Sequence, residues 1–162
     1  DIGGFLFNAD ADLWGHWIGL GAFYPFSRAH ACAGTNDKEP WAFGKEVEDA
    51  ARTALERRYM LLPYLYTLLQ EASETGMPIM QPAFFADPKD LSLRGEEKVF
   101  LLGSDLLVIP PGLNKQHCLK VFGKSSPYSP ETIKINISQN SKYVEEPLFL
   151  QGRSYRTLLR NH

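Results

Sequence analysis

The chain has little cysteine, little net charge and no long uninterrupted apolar run. Its two cysteines, Cys32 and Cys118, are too few for a disulfide framework; one bridge between them and two free thiols are both compatible with the count. A formal net charge of −2 over 162 residues gives no footprint for nucleic acid. The longest apolar stretch, Met60 to Leu69, is interrupted by Pro63 and two tyrosines and has about half of the ~20 residues that cross a bilayer, so no membrane segment is expected. There is no signal peptide and no initiator methionine: the sequence opens on Asp1 inside a Gly-rich motif, the expectation being a chain cut from something longer. One glycosylation triplet, Asn136-Ile137-Ser138, matters only in a secreted chain.

What is present is material for one ordinary domain or two small pieces, with 44 % apolar residues. Residues 1–30 interleave glycine with aromatics. Asp1 to Phe5 reads as a short strand running into a loop. Asp10 and Asp12 are candidate N-caps for a helix through about Gly21, because their carboxylates can accept the free N–H groups of a first turn. Ala22 to Arg28 reads as the next buried strand, which gives the strand–helix–strand order of an α/β repeat. A polar loop over 31–43 leads to the best helix, in which Val47, Ala50, Ala51, Ala54, Leu55, Tyr59 and Leu62 fall at helical spacing.

The charges from Lys45 to Arg58 read as a solvated face, with Glu48 and Arg52 paired at i, i+4. Pro63 predicts a kink or restart, after which Leu65, Leu68, Leu69 and Ala72 carry the pattern to a stop at Gly76. Pro78, Pro82 and Pro88 hold an extended stretch. Val99 to Ile109 reads as β structure broken at Gly103-Ser104, and later candidate strands are Cys118–Phe122, Thr132–Ile137 and Leu148–Leu150. Charge changes sign near Pro110, with 16 acidic and 9 basic side chains before it and 3 and 8 after it, an independent hint of a boundary.

Five segments in order carry a family resemblance: Asp1-Ile2-Gly3-Gly4-Phe5; Trp17 with Gly19 to Phe26 and Arg28-Ala29-His30; Glu39-Pro40-Trp41; Arg58 to Thr67; and Phe100 to Gly103 with Leu106 to Val108. Together they resemble glycoside hydrolase family 31, the family of many α-glucosidases, over roughly residues 1–110. The resemblance implies the last segments of a (β/α)₈ barrel, strands 7 and 8 and a final kinked helix, over 1–95. A partial β-sandwich-type domain would follow over 96–162, with 111–162 poorly matched to the family. His16 and Gln81 stand where many members carry arginine.

Retaining glycosidases need two carboxylates about 5–5.5 Å apart, one nucleophile and one acid/base. In the family both lie on earlier barrel strands, in Trp-x-Asp-Met and Trp-x-Gly-Asp type segments. Neither segment occurs in this chain, so the resemblance assigns no catalytic residue here, and implies no metal or organic cofactor.

The resemblance does carry over substrate-binding residues. Asp1 matches an aspartate that organises the first sugar subsite, His30 a histidine on the same sugar, and Phe5 an aromatic of the pocket wall. A carboxylate suits the first role because it accepts from two hydroxyls at once. Each has a plainer reading: a frayed terminal residue, a satisfied surface or core histidine, a core phenylalanine. Trp14, Trp17, Phe23 and Phe26 are assigned mainly to packing. Trp41 either lines the entrance or staples two elements.

The function implied is that of a fragment of a retaining α-glycoside hydrolase acting on terminal α-linked glucose, with an α-glucoside oligosaccharide and the rest of the parent barrel as partners. The alternatives are a non-catalytic truncated or split-gene product acting as partner subunit or relic, and a free carbohydrate-binding module. An isolated chain with unpaired strand edges is expected to bind simple sugars poorly and to aggregate.

Overall fold

The computed structural model describes residues 1–110 and the strand at 148–149. Two helices and a small antiparallel sheet account for most of its regular structure. Helix α1 spans Ala11–Gly21. Asp10 caps it as expected: its Oδ1 accepts the Leu13 N–H at 2.8 Å, which leaves Asp12 in the first turn to complement the helix dipole. The buried face of α1 is Trp14, Gly15, Ile18, Gly19 and Gly21, and its small residues let neighbouring chain approach closely.

Helix α2 spans Lys45–Thr75, 31 residues or about 46 Å of rod. It ends where Gly76 adopts the left-handed conformation and its N–H returns to the Ala72 carbonyl. The expected i, i+4 pair forms, Arg52 to Glu48 at 3.2 Å. The expected restart at Pro63 does not occur: α2 is one continuous helix through it. Arg58 and Tyr64, on either side of that proline, are each fastened to other parts of the fold, so tertiary anchors hold the rod where one backbone bond is missing.

Two expected strands are absent. Residues 1–7 are turns and bends, because Gly3, Gly4 and Phe7 have φ of 80°, 88° and 64°, outside the strand region. Residues 22–26 are likewise turns and bends. The N–H groups of Ala22, Phe23 and Tyr24 fold back on the carbonyls of Ile18, Leu20 and Gly21, so the chain unwinds from α1 instead of extending. The βα-repeat layout survives in the pairing of the segments. Ile2 N–H donates to the Arg28 carbonyl and Cys32 N–H to the Phe5 carbonyl, both at 2.9 Å. The two segments therefore run side by side in the same direction with α1 between them in sequence.

The β structure expected over 99–109 is a hairpin. Strands β1 (Met80–Pro82), β2 (Phe100–Leu102), β3 (Leu106–Val108) and β4 (Leu148–Phe149) form an antiparallel sheet in that order. Pro82 lies on the edge strand, where a missing donor is tolerated. Every residue of β2 and β3 is buried, which explains their unbroken apolar runs: a strand covered on both faces shows no alternation. Between β1 and β2 the chain makes short 3₁₀ turns at Ala83–Phe85 and Leu91–Gly95. The candidate strands Cys118–Phe122 and Thr132–Ile137, the sequon at Asn136 and Cys118 lie outside the described residues; Cys32 carries a free thiol.

The core is continuous from α1 to the sheet. Ile2, Trp14, Ile18, Ala22 and Phe23 meet Val47, Ala50, Ala51 and Ala54 of α2, and Leu61, Tyr64, Leu65 and Leu68 meet Phe100, Leu102, Leu106 and Val108. At the second contact the Tyr64 hydroxyl donates to the Leu102 carbonyl at 2.9 Å. A Cβ on Gly103 would lie 2.4 Å from that hydroxyl and 2.6 Å from Leu68. Glycine is required there by contact as well as by its φ of 60°.

Candidate active-site loops

The residues singled out for sugar binding, Asp1, Phe5 and His30, lie on the two parallel segments just described. Asp1 Oδ1 accepts from Arg28 Nε at 2.9 Å, and Gly4 N–H closes a turn on the Asp1 carbonyl. Thus Asp1 is not a frayed end: side chain and backbone are both tied. The Phe5 and His30 rings sit 5.7 Å apart at 30°. The Arg28 guanidinium also lies over the Phe26 ring, 5.4 Å from its centroid. The two parallel segments together therefore carry a carboxylate, a guanidinium, an imidazole and two phenyl rings.

These groups are exposed rather than packed. Phe5 is 45 % exposed and Phe26 73 %, and Asp1, Arg28 and His30 are exposed as well. The packing role expected for Phe26 is therefore not what the structure shows, whereas Trp14 and Phe23 are buried as expected. Trp41 is 68 % exposed and lines a surface groove with Pro40 and with Glu48, Arg52 and Tyr59 of α2.

Below the loops the support is close-fitting. A Cβ on Gly3 would lie 2.4 Å from Trp14 Cδ1, and one on Gly21 2.8 Å from Ile2 Cδ1. Trp14 in turn stacks on Phe43 at 4.9 Å and 18°. The first loop thus rests directly on α1, and its glycine is set by both its positive φ and the indole beneath.

Arg58 was read as part of a solvated face, and this is corrected by its contacts. Its guanidinium donates to the carbonyls of Ala22 at 3.0 Å, Tyr24 at 2.6 Å and Pro25 at 3.2 Å. Burial pushes its pKa below the usual arginine value. Its position was legible in principle: four residues after Ala54 and three before Leu61, it borders the apolar stripe of α2. Those bonds hold the turn that delivers Phe26, Arg28 and His30.

Among the described residues no group of His, Cys, Asp and Glu is arranged to hold a metal ion, and no helix is long and apolar enough to cross a membrane.

A loop face of charged and aromatic groups, carried on parallel segments joined by a helix, is the layout of a barrel's carboxyl-terminal rim. Residues 1–68 match the Glycosyl hydrolases family 31 TIM-barrel domain, and the chain belongs to that family, as part of its catalytic barrel. It is 44 % identical over 108 residues to a probable glucan 1,3-alpha-glucosidase of Arabidopsis thaliana, covering 67 % of this chain and 12 % of that protein. It is 50 % identical over 110 residues to a probable alpha-glucosidase of Oryza sativa subsp. japonica, covering 68 % and 12 %. The crystal structure of a family 31 alpha-glucosidase from Bacteroides thetaiotaomicron superimposes with a TM-score of 0.73 and 60 % identity, over 93 % of this chain and 23 % of that one. The chain thus spans only about an eighth of the length of the curated relatives it matches.

Proposed function

We propose that this chain supplies the closing rim of the first sugar subsite in a retaining α-glycoside hydrolase that removes terminal α-linked glucose. Asp1 receives two sugar hydroxyls, His30 contacts the same ring, and Phe5 covers the apolar C–H face of the pyranose. The single observation that carries this reading is the Asp1–Arg28 ion pair. It ties the carboxylate to the segment that also carries His30, the partner of the Phe5 ring, and among the described residues it engages Oδ1, which leaves Oδ2 for a ligand.

The chemistry follows from those groups. A sugar ring has an apolar face and a hydroxyl edge, and it binds where an aromatic wall stands next to fixed acceptors and donors. The nucleophile and the acid/base belong to other segments of the barrel, and the residues here orient the ring toward them. The segments through α2 would close the barrel, and the sheet that begins at β1, which pairs across the boundary expected at 95, would open the β-rich part that follows it.

Asp1→Asn in the protein carrying this chain with the rest of its barrel tests the reading. Loss of a charged hydrogen bond to the sugar lowers kcat/KM on an α-glucoside by about 10- to 150-fold. An unchanged kcat/KM, with the fold intact, refutes it.

A further inference from the structure

We propose that Phe7 is a stacking platform for the second sugar ring of an α-linked oligosaccharide, setting preference for longer substrates over monosaccharide derivatives. The inference rests on the sugar-site reading above and extends it by one subsite.

Phe7 is the one non-glycine residue with positive φ among the described residues, at 64°. A β-carbon is disfavoured in that region, and bulky side chains are true outliers there. Such strain persists only where the surroundings enforce it, and it clusters at ligand clamps. The Phe7 ring is 84 % exposed, so burial within this chain returns nothing for the strain.

The surroundings that enforce it are specific. Lys38, itself 8 % exposed, donates from Nζ to the Phe7 carbonyl at 3.4 Å. The next residue, Asn8, accepts the Asn36 N–H on Oδ1 at 2.7 Å. Two residues earlier, the Phe5 carbonyl is held by Cys32 N–H. The carbonyls of Phe5 and Phe7 are thus both engaged by the segment from Cys32 to Lys38. The loop is strapped from one side while both rings stay open to solvent. Phe5 belongs to the wall of the first subsite, and Phe7 is placed two residues beyond it on the same loop. A rigidly held, exposed aromatic next to a sugar pocket fits the apolar face of the neighbouring ring.

Two substrates separate the subsites in the protein carrying this chain with the rest of its barrel. α-Glucosyl fluoride fills only the first, because its leaving group is a single atom. An α-linked glucose disaccharide fills both. Phe7→Gly is compatible with positive φ and is expected to leave Tm undiminished. It lowers kcat/KM for the disaccharide by about five- to tenfold, mainly through KM. It changes α-glucosyl fluoride turnover by less than about twofold. Phe7→Trp keeps the disaccharide preference. An equal loss on both substrates, or an unchanged disaccharide constant, overturns the proposal; so does a lower Tm in Phe7→Gly, which marks a packing role against the rest of the protein. Asp1→Asn serves as control. Intact activity on both substrates in that variant removes the underlying site reading, whereas loss on both together with an indifferent Phe7→Gly removes only the Phe7 assignment.

Discussion

Tyr64→Phe deletes one oxygen at the seam between α2 and the β2–β3 hairpin. That hydroxyl donates to the Leu102 carbonyl at 2.9 Å and accepts from the Asp105 N–H at 3.4 Å. Tyr64 is 4 % exposed and Leu102 fully buried, so water cannot readily replace the lost partner. A buried carbonyl left unsatisfied costs about 1–3 kcal/mol, and the longer second bond adds little. The expected loss is about 2 kcal/mol, a factor of about 30 in the opening equilibrium of the hairpin. Native-state hydrogen exchange reads this directly: amides of β2 and β3 lose protection by that factor while those of α1 do not.

The same side chain gives a pH signature. Burial first, and the Asp105 charge second, push its pKa well above 10. A raised folded pKa means the unfolded state releases the proton first. The contribution of Tyr64 is therefore complete below about pH 10 and is lost as pH climbs toward the folded value. Tyr64→Phe lacks that alkaline slope, and its phenolate absorbance titration loses a component that titrates above the ordinary tyrosine range. Unchanged hairpin protection in the variant, or an identical loss in α1, refutes the reasoning.

Gly103→Ala meets the Tyr64 hydroxyl at 2.4 Å and Leu68 at 2.6 Å at a positive φ. It is expected to cost about 2–4 kcal/mol, more than Tyr64→Phe, and combining it with Tyr64→Phe recovers part of the loss because one clashing atom is gone; thermal melts of the two single variants and the double variant check this. Arg58→Met removes three guanidinium–carbonyl bonds and is expected to cost about 2–4 kcal/mol and to raise KM for an α-glucoside by loosening the turn before Arg28. Arg58→Lys, a single point charge facing three carbonyls, restores only part of both.

Legibility in the sequence followed how local each determinant is. α1 and α2 were readable because their determinants sit in the chain itself: an Asp10 cap, a 3.6-residue apolar rhythm, a Gly76 stop. The hairpin was readable from two apolar runs around Gly103. The strands expected at 1–5 and 22–28 were not formed, since a strand is made by its neighbours, and here positive φ at Gly3 and Gly4 and backward turns at 22–24 win. At the site, Asp1, Phe5 and His30 came from motif resemblance, and the structure adds the pairings that sequence cannot carry, Asp1 with Arg28 and Phe5 with His30. Arg58 and Phe26 depart from expectation in opposite directions for one reason, that residue type alone does not decide burial: the carbonyls that draw the Arg58 guanidinium in are more than 30 residues away in sequence, and the Phe26 ring faces a guanidinium, not a core.

The position of α2 explains why the site loops and the sheet are mechanically one unit. Arg58 grips the turn that delivers Phe26, Arg28 and His30, and Tyr64 grips the hairpin. The two anchors stand six residues apart, about 9 Å along the axis, with Pro63 between them. At that proline the helix lacks one backbone bond and is at its most bendable. Were either anchor absent, the free half of the rod could pivot there, and the site turn would no longer be referenced to the sheet. With both present, contacts on each side of Pro63 hold the rod in place. Placement of the candidate site loops then depends on the packing of β2 and β3. Loss of the Tyr64 bond should therefore raise KM slightly, and adding Arg58→Met to Tyr64→Phe should raise it by less than the product of the two single effects, because either loss alone already uncouples the turn from the sheet.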